Sequence, residues 1–233
     1  MSDELEEFYP SPSQDLNSLT HKQALFCISR MLEVLVELHD QYAAGLPESE
    51  PTSHHPSISE SHEEAKQIAA QLDTIHKATT VESEAVIEEN IDSEHEQLIV
   101  LYKRFWLKQP PGISIRSYLQ RFDRYCHHSV ATYLTAGAYV YHLCVVLKKL
   151  PLTRRNVHRI FSAAFVVAAK VVEDILYPWQ RYATTAGVSA GDMGRLEIAL
   201  LYLLDFGVKI DLERLEDAFE DWTRLVLAVS ALA

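Results

Sequence analysis

Apolar residues recur along this chain at intervals of three and four, and no stretch sustains the alternation of a half-buried strand. That spacing predicts an all-α protein. The first stripe is Leu25, Ile28, Leu32, Leu35 and Tyr42, in a helix expected over 20–44. Thr20 is its N-cap, and Gly45 and Pro47 end it. Residues 45–60 are rich in Pro, Ser, His and Glu and read as a linker. Helical pattern returns over 61–108. Ser61 and Glu64 there have capping-box spacing, and Leu98, Leu101, Tyr102 and Phe105 form a stripe. Gln109-Pro-Pro-Gly112 breaks the pattern.

Five helical segments then follow closely, over about 114–126, 129–147, 153–174, 178–185 and 189–205. Ser114, Ser129, Thr153 and Ser189 are suitable N-caps, and Pro151, Gly187 and Gly207 mark boundaries. Connections this short force a bundle of neighbouring helices. The third segment is apolar almost all round between Val157 and Val172. A helix without a polar face has to be surrounded, so it is expected at the bundle centre. A last helix starts near Asp211, with Leu212, Leu215, Phe219, Trp222, Val226 and Val229 as its docking stripe. The expected organisation is a disordered acidic tail (1–19), a packed N-terminal helix (20–44), an acidic helical insertion (45–111), a five-helix box (112–210) and a C-terminal helix (211–233).

Composition narrows the function. The net charge is -12, and residues 47–96 carry 13 acidic residues against two lysines. An acidic chain is a poor match for nucleic acid or anionic membrane. The longest apolar runs, 162–169 and 225–233, are too short to span a bilayer. Cys27, Cys126 and Cys144 form no CxxC pair, which points to an intracellular location, nucleus or cytoplasm, with reduced thiols. The acidic start of the chain does not resemble a signal peptide.

Eleven histidines raise the question of metal. His39-Asp40 is the doublet of helical metal-dependent phosphohydrolases, with His21 upstream, but such a site needs several ligands in one cavity. His54-His55 lies in the linker and His127-His128 between two helices, and His158 is expected as a satisfied core histidine. No Gly-rich phosphate loop or nucleophile motif is present. The expectation is a non-enzyme with no cofactor, no metal and no small-molecule substrate. The alternatives are a helical adaptor and, further off, a helical phosphohydrolase.

Two charges stand out. Lys170 interrupts the run Ala168-Ala169-Val171-Val172, and Glu197 sits on the stripe Met193, Leu200, Leu204. Charge set in apolar surface is normally paired or functional. The plain alternative is a Lys–Glu pair at the bundle rim.

The local strings carry a resemblance. Gly112-Ile-Ser-Ile-Arg-Ser-Tyr-Leu-Gln-Arg-Phe122, Asn156-Val-His-Arg-Ile160, Val167-Ala-Ala-Lys-Val-Val-Glu-Asp174, Tyr182-Ala183, Gly187-Val-Ser189, Arg195-Leu-Glu197 and Leu203-Leu-Asp-Phe206 occur in the order found in P/U-type cyclins. These are the phosphate-signalling cyclins of fungi and the U-type cyclins of plants and protists. Residues 30–41 resemble the helix before their box. The resemblance implies a five-helix cyclin box and a non-catalytic activator of a cyclin-dependent Ser/Thr kinase. It also implies that Lys170 and Glu197 clasp the kinase's mobile helix. Phe206 and Val208 match apolar kinase contacts, Val171 adjoins Lys170, and Glu173 and Asp174 would face a basic cluster beside the kinase activation segment. The chain departs from the family in three places. Tyr139-Val-Tyr-His142 replaces Tyr-x-Asp-Arg, so Arg116 lacks its expected acidic partner and a substrate-docking patch near Ile115 and Leu119 is in doubt. Pro178-Trp-Gln180 replaces paired asparagines, and the connection from Gln41 to Gly112 is longer than usual.

Overall fold

Serine and threonine hydroxyls start most of the helices. Thr20 Oγ1 accepts from the Gln23 N–H while Gln23 Oε1 accepts from the Thr20 N–H, a reciprocal capping box. It opens α1 (His21–Ala44). Ser114 caps α2 (Ile115–Tyr125) and Ser129 caps α3 (Val130–Tyr141), which runs on as a π turn over His142–Val146. Next come α4 (Val157–Val172), α5 (Trp179–Ala186), α6 (Ala190–Leu203, capped by Ser189) and α7 (Leu212–Ser230). The computed structural model describes residues 16–44, 98 and 100–230, and every regular element among them is helical. The first fifteen residues of the expected tail, the linker over 45–60 and the helical pattern over 61–97 lie outside the described residues. The chain divides into two units, 1–43 with 105–233 and 44–104. Of the second, the described residues 100–104 are helical.

In the first unit α4 is the central rod. From Val157 to Ala169 every residue is buried except Arg159, which is half-buried. Its alanines allow close approach, and α3 and α4 form the most extensive helix pair. Rings of Tyr118 and Phe122 from α2, Tyr133 from α3, Phe161 and Phe165 from α4 and Tyr182 from α5 interlock at this core. α1 and α7 cover α3. A Cβ added to Gly137 of α3 would meet the Trp222 ring of α7 at 2.9 Å and Ile28 of α1 at 3.4 Å, so glycine is what lets three helices cross there. The α1 register is also held by Arg116, whose guanidinium lies 5.6 Å from the Phe26 ring centroid. That contact occupies the arginine whose acidic partner is missing. Leu119 is only 1% exposed and cannot contribute to a surface patch.

Boundaries differ from expectation at both ends of α4 and at the end of α6. The third bundle helix begins at Val157, not Thr153, because Asn156 Oδ1 accepts from the Thr153 N–H and its amide donates to the Pro151 carbonyl, holding a turn before the helix. At the end of α6 the left-handed residues are Asp205 (φ 50°) and Phe206 (φ 55°), so Gly207 is not the left-handed cap. The Phe206 N–H reaches back to the Leu201 carbonyl at 2.8 Å.

Candidate protein-binding surface

Lys170 lies in the last turn of α4, one residue beyond the buried run, and is exposed. Its ammonium donates to Glu197 Oε1 of α6 at 2.5 Å. The Lys170 side chain is 43% exposed and that of Glu197 13%. The ammonium also stands 4.8 Å from the centroid of the Trp179 ring, at the start of α5. Trp179 is fixed in turn by its Nε1–H, which donates to the Ala190 carbonyl. Three helices therefore define the position of one charge. The tryptophan belongs to the segment that departs from the paired asparagines, and sequence pattern gave it no role.

Apolar side chains at and beyond this pair are uncovered. Val171 is 43% exposed, and Ile198, beside Glu197, is 51% exposed. Tyr202 lies one turn after Ile198 and stacks edge-on against Phe206, with centroids 5.2 Å apart. Phe206 is 58% exposed, which rules out a core-packing role for it. A bulky residue held at positive φ is strained, and such strain collects at functional surfaces. Val208 is half-buried, and its carbonyl accepts from the Tyr139 hydroxyl at 2.6 Å. Lys149 pairs with Asp205 at 2.6 Å and pins the same turn.

Glu173 and Asp174 part company. α4 ends at Val172, and Glu173 turns to extended backbone (φ -95°, ψ 136°). Its Oε1 accepts from the Ser129 N–H at 2.8 Å, the Ser129 hydroxyl at 2.6 Å and the Thr132 hydroxyl at 2.5 Å. A carboxylate at the N-terminus of α3 also meets the positive end of that helix. Burial opposes the charged form, but the hydrogen bonds from Ser129 and Thr132 together outweigh it, and the Glu173 pKa is lowered. Glu173 thus joins the ends of α4 and α3, which accounts for it structurally. Asp174 is exposed, followed by Ile175 (84% exposed) and Leu176 (44%).

The histidine doublet is otherwise engaged. His39 Nδ1 accepts from the Leu152 N–H at 3.1 Å, and Asp40 pairs with Arg154 at 3.4 Å. Those contacts give no metal-binding constellation. His158 is 8% exposed and its Nε2 donates to the Ile113 carbonyl at 3.0 Å, but its buried Nδ1 has no hydrogen-bond partner, so this core histidine is only half satisfied. An open cleft of about 760 Å³ between α2 and α5 is lined by Arg121, Arg124 and Arg181 among others, and by none of the expected contact residues.

Comparison with known proteins fits this arrangement. The Cyclin family model matches residues 62–208, beginning within the acidic segment. Cyclin-U1-1 of Arabidopsis thaliana is 35% identical over 100 residues, 43% of this chain and 48% of that protein. The PHO85 cyclin-like protein psl1 of Schizosaccharomyces pombe is 32% identical over 129 residues, 52% of this chain and 51% of that protein. Cyclin-P1-1 of Oryza sativa subsp. japonica is 37% identical over 100 residues, 43% of this chain and 38% of that protein. The chain spans about half the length of the first two of these relatives and less of the third. With a helical bundle round a buried alanine-rich α4, a family match over more than half its residues and relatives of the U and P types, the chain belongs to the cyclin family.

Proposed function

We propose that this chain is the regulatory, activating subunit of a cyclin-dependent Ser/Thr protein kinase and has no catalytic activity of its own. Its contact surface is Lys170, Val171, Glu197, Phe206 and Val208, with Asp174 at the edge and Glu173 setting where α4 ends. The observation that carries this reading is the Lys170–Glu197 pair. It is formed in the free chain, lies at the rim where α4, α5 and α6 meet, and each of its members is followed in sequence by an exposed apolar side chain, Val171 and Ile198. Each member has hydrogen-bonding capacity left. An ammonium offers three donors and a carboxylate two acceptor oxygens, so the pair can hold a helix terminus or main-chain groups of a partner. The apolar neighbours supply area that gains by leaving water. A surface of this kind positions a mobile helix by binding it, with no bond made or broken.

The test is affinity capture of the full chain from extract of its source cells, with mass spectrometry and a phosphorylation assay on the eluate. A cyclin-dependent kinase recovered in near-equal amount and more active with the chain than without it is the expected result. Capture of no protein kinase would favour a helical adaptor.

A further inference from the structure

Three ligand-type side chains, two of them four residues apart and the third 102 residues from the nearer, meet where α1 approaches α2. His21 opens α1, Asp123 lies in the last turn of α2, and His127 follows that helix. Asp123 Oδ1 is 3.1 Å from His21 Nδ1 and 3.3 Å from His127 Nδ1. The two imidazoles are stacked, with centroids 4.7 Å and planes 21° apart. One ligand atom from each of the three residues lies within 4.8 Å of the others. Ligands about 2.0–2.1 Å from a tetrahedral zinc ion stand about 3.4 Å from one another, close to the two separations found here.

We propose that His21, Asp123 and His127 form a binding site for a divalent transition cation of the zinc class, with water completing its coordination. The donor set of two imidazole nitrogens and one carboxylate suits zinc, nickel, cobalt or copper rather than magnesium or calcium, which prefer oxygen. Asp123 supplies negative charge and the C-terminal end of α2 adds a partial one, shared there with Arg124 and with Arg181, which donates to the Tyr125 carbonyl. Entry is open: the side chains of His21 and Asp123 are 30% exposed and that of His127 67%. Tyr133 of α3 packs edge-on against the His21 ring at 5.8 Å and holds its plane. Ligation needs each imidazole to carry its proton on Nε2, a tautomer change without net proton loss. The ion would tie α1 to α2. It therefore belongs to the stability of the assembled bundle and not to catalysis, and it is independent of the kinase-binding surface. Sequence spacing cannot show it, since His21 and Asp123 are 102 residues apart and the expectation from sequence was no metal.

The test uses tag-free full chain, stripped with chelator and titrated with zinc chloride by calorimetry, with melting curves in parallel. Binding at this site is expected to raise the melting temperature by several degrees at saturating zinc, because a ligand that binds only the folded state stabilises it. Asp123→Asn and His127→Ala should each weaken that binding at least tenfold and lose the shift. His142→Ala, an exposed imidazole elsewhere, should keep both. The His127 side chain is 67% exposed, so its alanine variant loses only a surface stack and pair and should fold and melt within a few degrees of the parent without zinc. Zinc bound equally by parent and both site variants would place it on other histidines and overturn the proposal, as would no binding tighter than about 100 μM. Cobalt(II) gives a second readout, a tetrahedral absorption band lost in the same two variants.

Discussion

Replacing Glu197 by alanine separates a partner contact from a structural ion pair. In the free chain the loss is small. Lys170 is 43% exposed and rests on the Trp179 ring, so without Glu197 its ammonium keeps water and the ring face. A partly exposed pair of this kind, with Glu197 13% exposed, contributes about 0–1 kcal/mol. For a domain of this size that moves the melting temperature by roughly 0–4 °C. At a partner interface the same pair is desolvated, and truncating one charge there typically costs about 2–5 kcal/mol. Both Glu197→Ala and Lys170→Ala should therefore weaken kinase binding at least about tenfold, or 1.4 kcal/mol. Val166→Ala is the contrast. Val166 is 1% exposed inside α4, and its loss should cost about 2 kcal/mol of stability with little change in affinity per folded molecule. The exchanged pair Lys170→Glu with Glu197→Lys sharpens the test. It restores an ion pair across the same rim but inverts what a partner meets, so stability should recover and binding should not. Melting curves and titration calorimetry against the captured kinase measure both quantities. If the alanine variants bind like the parent, or if the exchange restores binding, the pair is structural and the surface assignment fails.

Other perturbations probe neighbouring features. Phe206→Gly should raise the melting temperature slightly, because a left-handed Phe costs roughly 1–2 kcal/mol that glycine avoids, while kinase binding falls; equal binding by the variant would remove Phe206 from the surface. Glu173→Gln should lower stability at neutral pH by about 1–3 kcal/mol, since a neutral amide replaces the charge that accepts from Ser129 and Thr132. The lowered Glu173 pKa means its contribution is full above its ordinary value of 4.5 and is lost as pH falls through the lower folded value. Stability curves of parent and variant should therefore converge in acid; parallel curves would refute that linkage. Gly137→Ala should cost about 1–3 kcal/mol by thermal melting, since the added methyl carbon meets the fully buried Trp222 at 2.9 Å. Burial lowers the pKa values of His39, His128 and His158, so the unfolded chain takes up protons first as pH falls below about 6.5. The melting temperature should drop between about pH 7 and 5.5, a trend that His128→Gln, His158→Gln and His39→Gln together should flatten.

What sequence reveals here divides along physical lines. Caps are local, so Thr20, Ser114, Ser129 and Ser189 could be recognised as helix starts, and Gly187, at φ 74°, as an end. The burial of α4 was legible because a run of alanines and β-branched residues leaves no polar face to solvate. The ends of α4 were not, because they depend on side chains folding back. Asn156 captures the Thr153 N–H and delays the start, and the Ser129 cap draws Glu173 out of the helix at the finish. That second event bears on the site. Lys170, Val171, Glu173 and Asp174 lie within five consecutive residues and were grouped for that reason. The helix ends among them, after which neighbours in the chain need not be neighbours in space. Lys170 turns toward α6 and the Trp179 ring, whereas Glu173 turns to the N-terminus of α3. Sequence could assign Lys170 and Glu197 a partner role through family motif alone, because their meeting is set by how α4 packs on α6, and the ring that completes their setting comes from a third helix. Glu173 consequently acts on Lys170 at a distance of three residues, by fixing where the last turn of α4 stops. Its removal should loosen that turn and shift the lysine, whereas Asp174, exposed just past the helix end, has no such hold on it.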